Sequence, residues 1–399
     1  MKNTVNLVNL ILIIAIFVIV VLTLQKWVQN NKQTIPLNPP LIQEPLMPPT
    51  PQKLDVAAAK NTITEDECKE ILSWLAHDDR EGRMSGKRGN VVSADYLVKE
   101  FESYGLEVSR QKFNIRRMNP GPNNEQGDDF TENIIGVLKG KSPRKIIIGG
   151  HMDHIGWGPG MSRSSSRKLE IHNGADDNAS GTTAVVELAE AFSQMDQLNH
   201  TLVFICFSAE EMGLIGSRHY VSELSAEDRK NIDLMVNFDM IGWLKGQKEI
   251  TVSGIARIPQ LVKIVNELDD HYDFQVKPGG SGSGGSDHAP FGNANIPYAF
   301  FHTGLHDYYH TPEDDVQRID FKGITDVAKF AFEMIVLFDE KDLIRVKEVE
   351  YPDLNETIHD HGHPEVDFPD HNHSHDHYSN SEVLELPEIN YEYLEGSSK

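Results

Sequence analysis

Short apolar runs recur along the middle of the chain: 146–148, 202–207, 234–238 and 296–301. Each is too brief for a helix and suits a buried strand. Between them, 181–192 and 258–268 carry apolar residues at helical spacing, and 321–338 predicts a long closing helix. Upstream, Cys68, Ile71, Leu72 and Leu75 share one helical face behind Thr64, a fitting N-cap. A second helix is predicted from about Val91 to Tyr104, stopped by Gly105. Residues 107–115 and 134–138 read as strands, and 119–129 as a polar Gly, Pro and Asn loop. Alternating strands and helices read as an α/β fold over residues 62–344.

The flanks differ. Residues 5–24 carry no charge, and 10–22 are unbroken apolar. About 20 such residues cross a hydrocarbon core of ~30 Å. No Ala, Gly or Ser lies between Ala15 and Ala57 to support signal cleavage, and no Cys precedes Cys68. Residues 1–33 are therefore expected to be an uncleaved N-terminal transmembrane helix, attaching a single-pass protein to the membrane. Lys2, Lys26 and Lys32 do not settle its orientation. The short leading end favours a periplasmic or extracellular main domain. Residues 34–61 include Pro36, Pro39, Pro40, Pro45, Pro48, Pro49 and Pro51, which predict an extended linker. Residues 345–399 read as an unfolded acidic tail, in which His359, His361, His363, His371, His373, His375 and His377 form a metal-binding tract suited to weak zinc capture.

Charge narrows the function. A net charge of −24 over 399 residues gives no basic surface for nucleic acid. The two cysteines, Cys68 and Cys206, cannot build a disulfide framework, and Cys206 sits in an apolar run as a small core residue.

Chemistry gathers where the predicted strands end, the edge at which open α/β sheets bind ligands. His151 closes one run, and the strand period of two puts Asp153, two residues on, on the same face. His151 then reads as a zinc ligand and Asp153 as the carboxylate that fixes its tautomer. His154 would point the other way, as an ordinary loop histidine. Asp177 leaves a glycine turn before a small-residue helix start and is the candidate to bridge two zinc ions, with Asp176 the alternative. Glu210 and Glu211 are adjacent after a strand, and burying both requires a cation. One division has Glu211 bind metal while Glu210 moves a proton. Asp239 and His310 complete the donor set.

The ordered set His151-x-Asp153, Gly-Ala-Asp-Asp177-Asn-Ala-Ser-Gly, Glu210-Glu211-x-Gly-Leu-x-Gly-Ser, Asn-x-Asp239-Met, Ser286-Asp-His-x-x-Phe and Tyr-His310-Thr-Pro resembles the M28 family of zinc peptidases over about 62–338. The resemblance implies a single α/β domain with a central mixed β-sheet flanked by helices, and two zinc ions per chain, one held by Asp177, Glu211 and His310, the other by Asp177, Asp239 and His151. It implies Glu210 as general base and acid, a cis peptide after Asp177, and a part for Tyr309 in stabilising an oxyanion. Many such proteins carry an inserted protease-associated domain; with Leu138 leading almost directly to His151, none is expected here. The implied function is a membrane-anchored aminopeptidase acting on peptide N-termini. A non-catalytic zinc-binding scaffold, a carboxypeptidase or a glutaminyl cyclase would use the same fold; a dead scaffold is expected to have lost Glu210 or a ligand. Asp287 and His288 follow the loop 279–285, where Ser286 or Asp287 could serve only to cap a turn.

Overall fold

The computed structural model describes residues 19–23, 25–26, 53–115, 129–166, 168–244, 248–279 and 285–341. Most of the predicted anchor, most of the proline-rich spacer, nearly all of the 119–129 loop and the histidine-rich tail lie outside these residues. Among the described residues no helix is long and apolar enough to cross a membrane.

In chain order come α1 (Glu65–Leu75), α2 (Arg88–Ser103), β1 (Glu107–Asn114), β2 (Phe130–Leu138), β3 (Lys145–His151), β4 (Gly156–Trp157) and β5 (Ile171–His172). Then follow α3 (Gly181–Ser193), β6 (Thr201–Phe207), α4 (Ile215–Glu223), β7 (Ile232–Phe238), β8 (Glu249–Ser253), α5 (Pro259–Asp269), β9 (Gln275–Gly279), α6 (His288–Asn293), β10 (Tyr298–His302) and α7 (Phe321–Glu340). Eight strands form one mixed sheet in the order β1-β2-β6-β3-β7-β10-β8-β9. Its centre, β6-β3-β7-β10, is parallel, so four carboxyl ends share one edge. β1, β2 and β8 run antiparallel to their neighbours toward the centre.

The apolar runs explain the layering. β7 is buried along its whole length, as a central strand covered on both faces must be. One face packs on α1, α3, α5 and α7 through Leu72, Val185, Phe192, Leu261 and Phe330; the other face gathers Ile147, Phe207, Met235 and Tyr298. Thr64 caps α1 as expected, its hydroxyl accepting the N–H of Glu67. One boundary is corrected. Residues 53–61, counted with the spacer on composition, belong to the folded body: Leu54 pairs with Met195, and Ala59 is fully buried in a short helix, Val56–Lys60.

The amino ends of the central strands carry a separate charge cluster. His200 Nδ1 lies 2.7 Å from Asp339 Oδ1, and its Nε2 lies 3.3 Å from Asp233, which also accepts from Arg144. Burial works against the imidazolium, but Asp233 and Asp339 outweigh it and raise the His200 pKa. Asp339 is held below its ordinary value: burial is offset by His200 and by the N–H groups of Asn199 and His200. A raised histidine stabilises the fold fully below its unfolded pKa of about 6.5, and this is lost as pH rises through the folded value. A depressed Asp stabilises above about 3.9, and this is lost as pH falls through its folded value. Replacing His200 with Phe should therefore cost most between about pH 4 and 6.5, on the order of 3 kcal/mol. The deficit should shrink at pH 9; a deficit equal at pH 5.5 and 9 in chemical denaturation would remove the charged pair from the account.

Candidate metal centre

Four strands deliver side chains to one rim. His151 is the last residue of β3, Glu210 and Glu211 follow β6, Asp239 follows β7, and His310 lies in the loop after β10. Asp177 comes from the segment before α3. There Gly174 sits at φ +56°, and a Cβ on it would lie 2.1 Å from the Asp177 carbonyl oxygen, so only glycine fits. The Asp177–Asn178 peptide is cis. Asn178 then ties this segment to the end of β7: its Nδ2 donates to Phe238 O, and its Oδ1 accepts from Gly181 and Met240. Three non-glycine residues with positive φ abut the cluster: Ala209 before Glu210, Met240 after Asp239, and His310 itself. Such backbone strain is concentrated at sites where the surroundings over-determine the conformation.

The two oxygens of Asp177 face different histidines. Oδ2 lies 3.1 Å from His310 Nε2, which is also 3.1 Å from Glu211 Oε2. Oδ1 lies 3.4 Å from His151 Nε2, itself 3.5 Å from Asp239 Oδ1. His151, Asp177 and Asp239 form one group able to hold an ion; His154, Asp177, Glu211 and His310 form a second. Neither His151 Nε2 nor His310 Nε2 makes an aligned hydrogen bond, although both are buried. Zinc bonds of about 2.0–2.1 Å in a tetrahedron set ligand atoms roughly 3.3 Å apart. Two unpartnered imidazole nitrogens at that separation from carboxylates fit zinc better than they fit hydrogen bonds.

His154 departs from its expected place. It does not turn away as a loop histidine; it is buried, with Nδ1 2.8 Å from Glu211 Oε1. Asp176 does turn away, its carboxylate engaged by Gly242 N–H, Ser180 and His306. Asp153 also differs in detail. The backbone carbonyl of Asp153, at 3.1 Å, rather than its carboxylate, at 3.8 Å, is the nearer acceptor for His151 Nδ1. The Asp153 carboxylate instead accepts from Ser85 and from the N–H of Glu210. Tyr309 packs its ring against His310, centroids 4.0 Å apart, and burial with the nearby carboxylates raises its phenol, keeping it a proton donor. Asp287 makes no capping hydrogen bond, and its carboxylate is buried beside Ser217, whereas the Ser286 hydroxyl accepts from Asn237 on β7.

Electrostatics follow the geometry. Burial raises Glu210 well above the carboxylate range; Asp239, Asp287 and Glu211 add to this, against His151. Burial also acts to raise Glu211, but the hydrogen bond with His154 and the nearby imidazole of His310 hold it well below that range. Asp177 is pushed up to about 7 by burial and by Glu211. This concentration of acid rests on a fully buried Arg83, which sequence reasoning passed over. Its guanidinium donates to the carbonyls of Leu75, Met152, Asn173 and Gly174, fixing the loops that carry His151 and Asp177. Asp314, likewise unforeseen, accepts the N–H groups of Asp176 and Asp177.

Comparison with known proteins agrees with this arrangement. Over 203 residues, 47% of this chain and 40% of the relative, the sequence is 32% identical to "Aminopeptidase YwaD" of Bacillus subtilis. The chain spans about half the length of the curated relatives it matches. Its fold is similar to that of an aminopeptidase from Aneurinibacillus sp. strain AM-1, with TM-score 0.58 at 18% identity, covering 70% of this chain and 95% of that one. It is also similar to that of a Porphyromonas gingivalis glutaminyl cyclase, with TM-score 0.57 at 20% identity, covering 70% of this chain and 99% of that one. The family model for peptidase family M28 matches residues 133–335, just over half of the sequence, and the chain belongs to that family.

Proposed function

We propose that this protein is a two-zinc aminopeptidase that removes residues from the free N-termini of peptides. The observation that carries the reading is the pair of donor groups that share Asp177. Asp177 would be shared by two ions, Glu211 and His310 would complete one site, and His151 and Asp239 would complete the other. Bound there, zinc supplies Lewis acidity and lowers the pKa of water toward ~7. Glu210 stands beside both groups, 4.0 Å from His151 Nε2. It accepts a proton from the attacking water and returns it to the leaving amine. Asp153 holds the Glu210 backbone, and Tyr309, whose ring packs against that of His310, takes the part of donor to the developing oxyanion. The aminopeptidase assignment draws on the relatives' names; the chemistry draws on the side chains. The apolar run at 5–24 supports membrane attachment; the proposal puts the enzyme domain on the periplasmic or extracellular side, with divisions at 1–33, 34–52, 53–344 and 345–399.

A panel of aminoacyl and N-blocked peptides tests the reading. Peptides with free N-termini should lose their first residue, blocked ones should persist, and a chelator should abolish turnover until zinc is returned. Release of C-terminal residues from blocked peptides would make it a carboxypeptidase. Cyclisation of N-terminal glutamine without hydrolysis would make it a cyclase, and no reaction with any peptide a scaffold.

A further inference from the structure

His154 has a place in this site that its sequence position gives no reason to expect. Its ring is fully buried and held from two sides. A Cβ on Gly174 would lie 2.4 Å from its Cγ, so the ring occupies the space the glycine leaves. On another side it meets His310 edge-on, centroids 5.4 Å apart at 81°. The two oxygens of Glu211 are thereby divided: Oε2 faces His310 Nε2 at 3.1 Å, and Oε1 faces His154 Nδ1 at 2.8 Å.

That difference in distance assigns the role. Atoms that share a tetrahedral zinc stand roughly 3.3 Å apart, and His310 Nε2 approaches this spacing at 3.1 Å from Asp177 Oδ2 and 3.1 Å from Glu211 Oε2. The 2.8 Å contact is instead the length of a charge-assisted N–H···O bond. His154 Nδ1 also stands 3.7 Å from Asp177 Oδ2, outside that spacing. We infer that His154 is a positioning residue, donating its Nδ1–H to Oε1 of Glu211 so that Oε2 alone is presented to the metal. The proton then lies on Nδ1, and the unpartnered Nε2 is a bare lone pair rather than a buried N–H.

The inference rests on the two-zinc reading, and one experiment separates them. Zinc affinity is measured by competition with a chromogenic chelator for the wild type and for H154A, H154L and H154N, with unfolding of each metal-free protein recorded alongside. Alanine and leucine remove the donor, and two replacements guard against one failing to fold. Asparagine places an amide N–H near the position of Nδ1. Loss of a group that orients a ligand typically weakens metal binding by about 10–100-fold. H154A and H154L should show that loss, while H154N should stay within about threefold of the wild type. Saturated with cobalt, H154N should keep the wild-type visible spectrum, because no ligand has changed. Wild-type affinity in H154A or H154L overturns the positioning role. A changed cobalt spectrum in H154N also overturns it, making His154 a ligand. A wild type that binds no pair of zinc ions overturns the two-zinc reading and this inference with it.

Discussion

Glu210→Gln is expected to keep its zinc at the wild-type level and to lose about 10²–10⁴-fold in turnover. Glutamine preserves size and polarity but cannot take up a proton. Glu210 lies outside both donor groups, so exchanging it should leave metal affinity in place. Its backbone is fixed independently, by Asp153 accepting its N–H and by Ser85 accepting that of Ala209. The variant should therefore fold and bind substrate, with kcat and kcat/KM falling together. The loss corresponds to about 2.7–5.4 kcal/mol of transition-state stabilisation. Steady-state kinetics beside metal analysis decides the matter. Unchanged turnover removes Glu210 from proton transfer; lost zinc makes it a ligand.

Asp177→Asn should be more damaging. One carboxylate faces both imidazoles, 3.4 Å from His151 and 3.1 Å from His310. Asparagine offers one oxygen and no charge, so it cannot serve two cations. The variant should retain at most one zinc ion per chain and show no peptide hydrolysis above background, whereas Asp176→Asn should retain two. Two tightly bound ions in Asp177→Asn would exclude the bridge.

The sequence made the strands and most of the donors visible because both are local signals. Runs such as Leu202–Phe207 are buried on two faces, and acidic or imidazole side chains follow within three residues of 146–148, 202–207 and 234–238, where burial alone gives no reason for them. What escaped was set by tertiary partners. The alternation that placed Asp153 with His151 and turned His154 away holds only within a strand, and β3 ends at His151. Beyond it the chain turns, so the Asp153 carbonyl meets His151 and the His154 ring meets Glu211. Arg83 lies in a polar stretch between helices; its burial depends on carbonyls at 75, 152, 173 and 174, which no local pattern connects. The strands Glu249–Ser253 and Gln275–Gly279 were missed for a related reason: both lie toward the sheet edge and are only partly buried, so they lack the continuous apolar signature.

Zinc content of the purified wild type, combined with anomalous diffraction at the zinc edge, bears most directly on the central claim. The account predicts two zinc ions per chain, about 3.5–4 Å apart, with one oxygen of Asp177 on each. A single ion, or two ions that do not share Asp177, would contradict it.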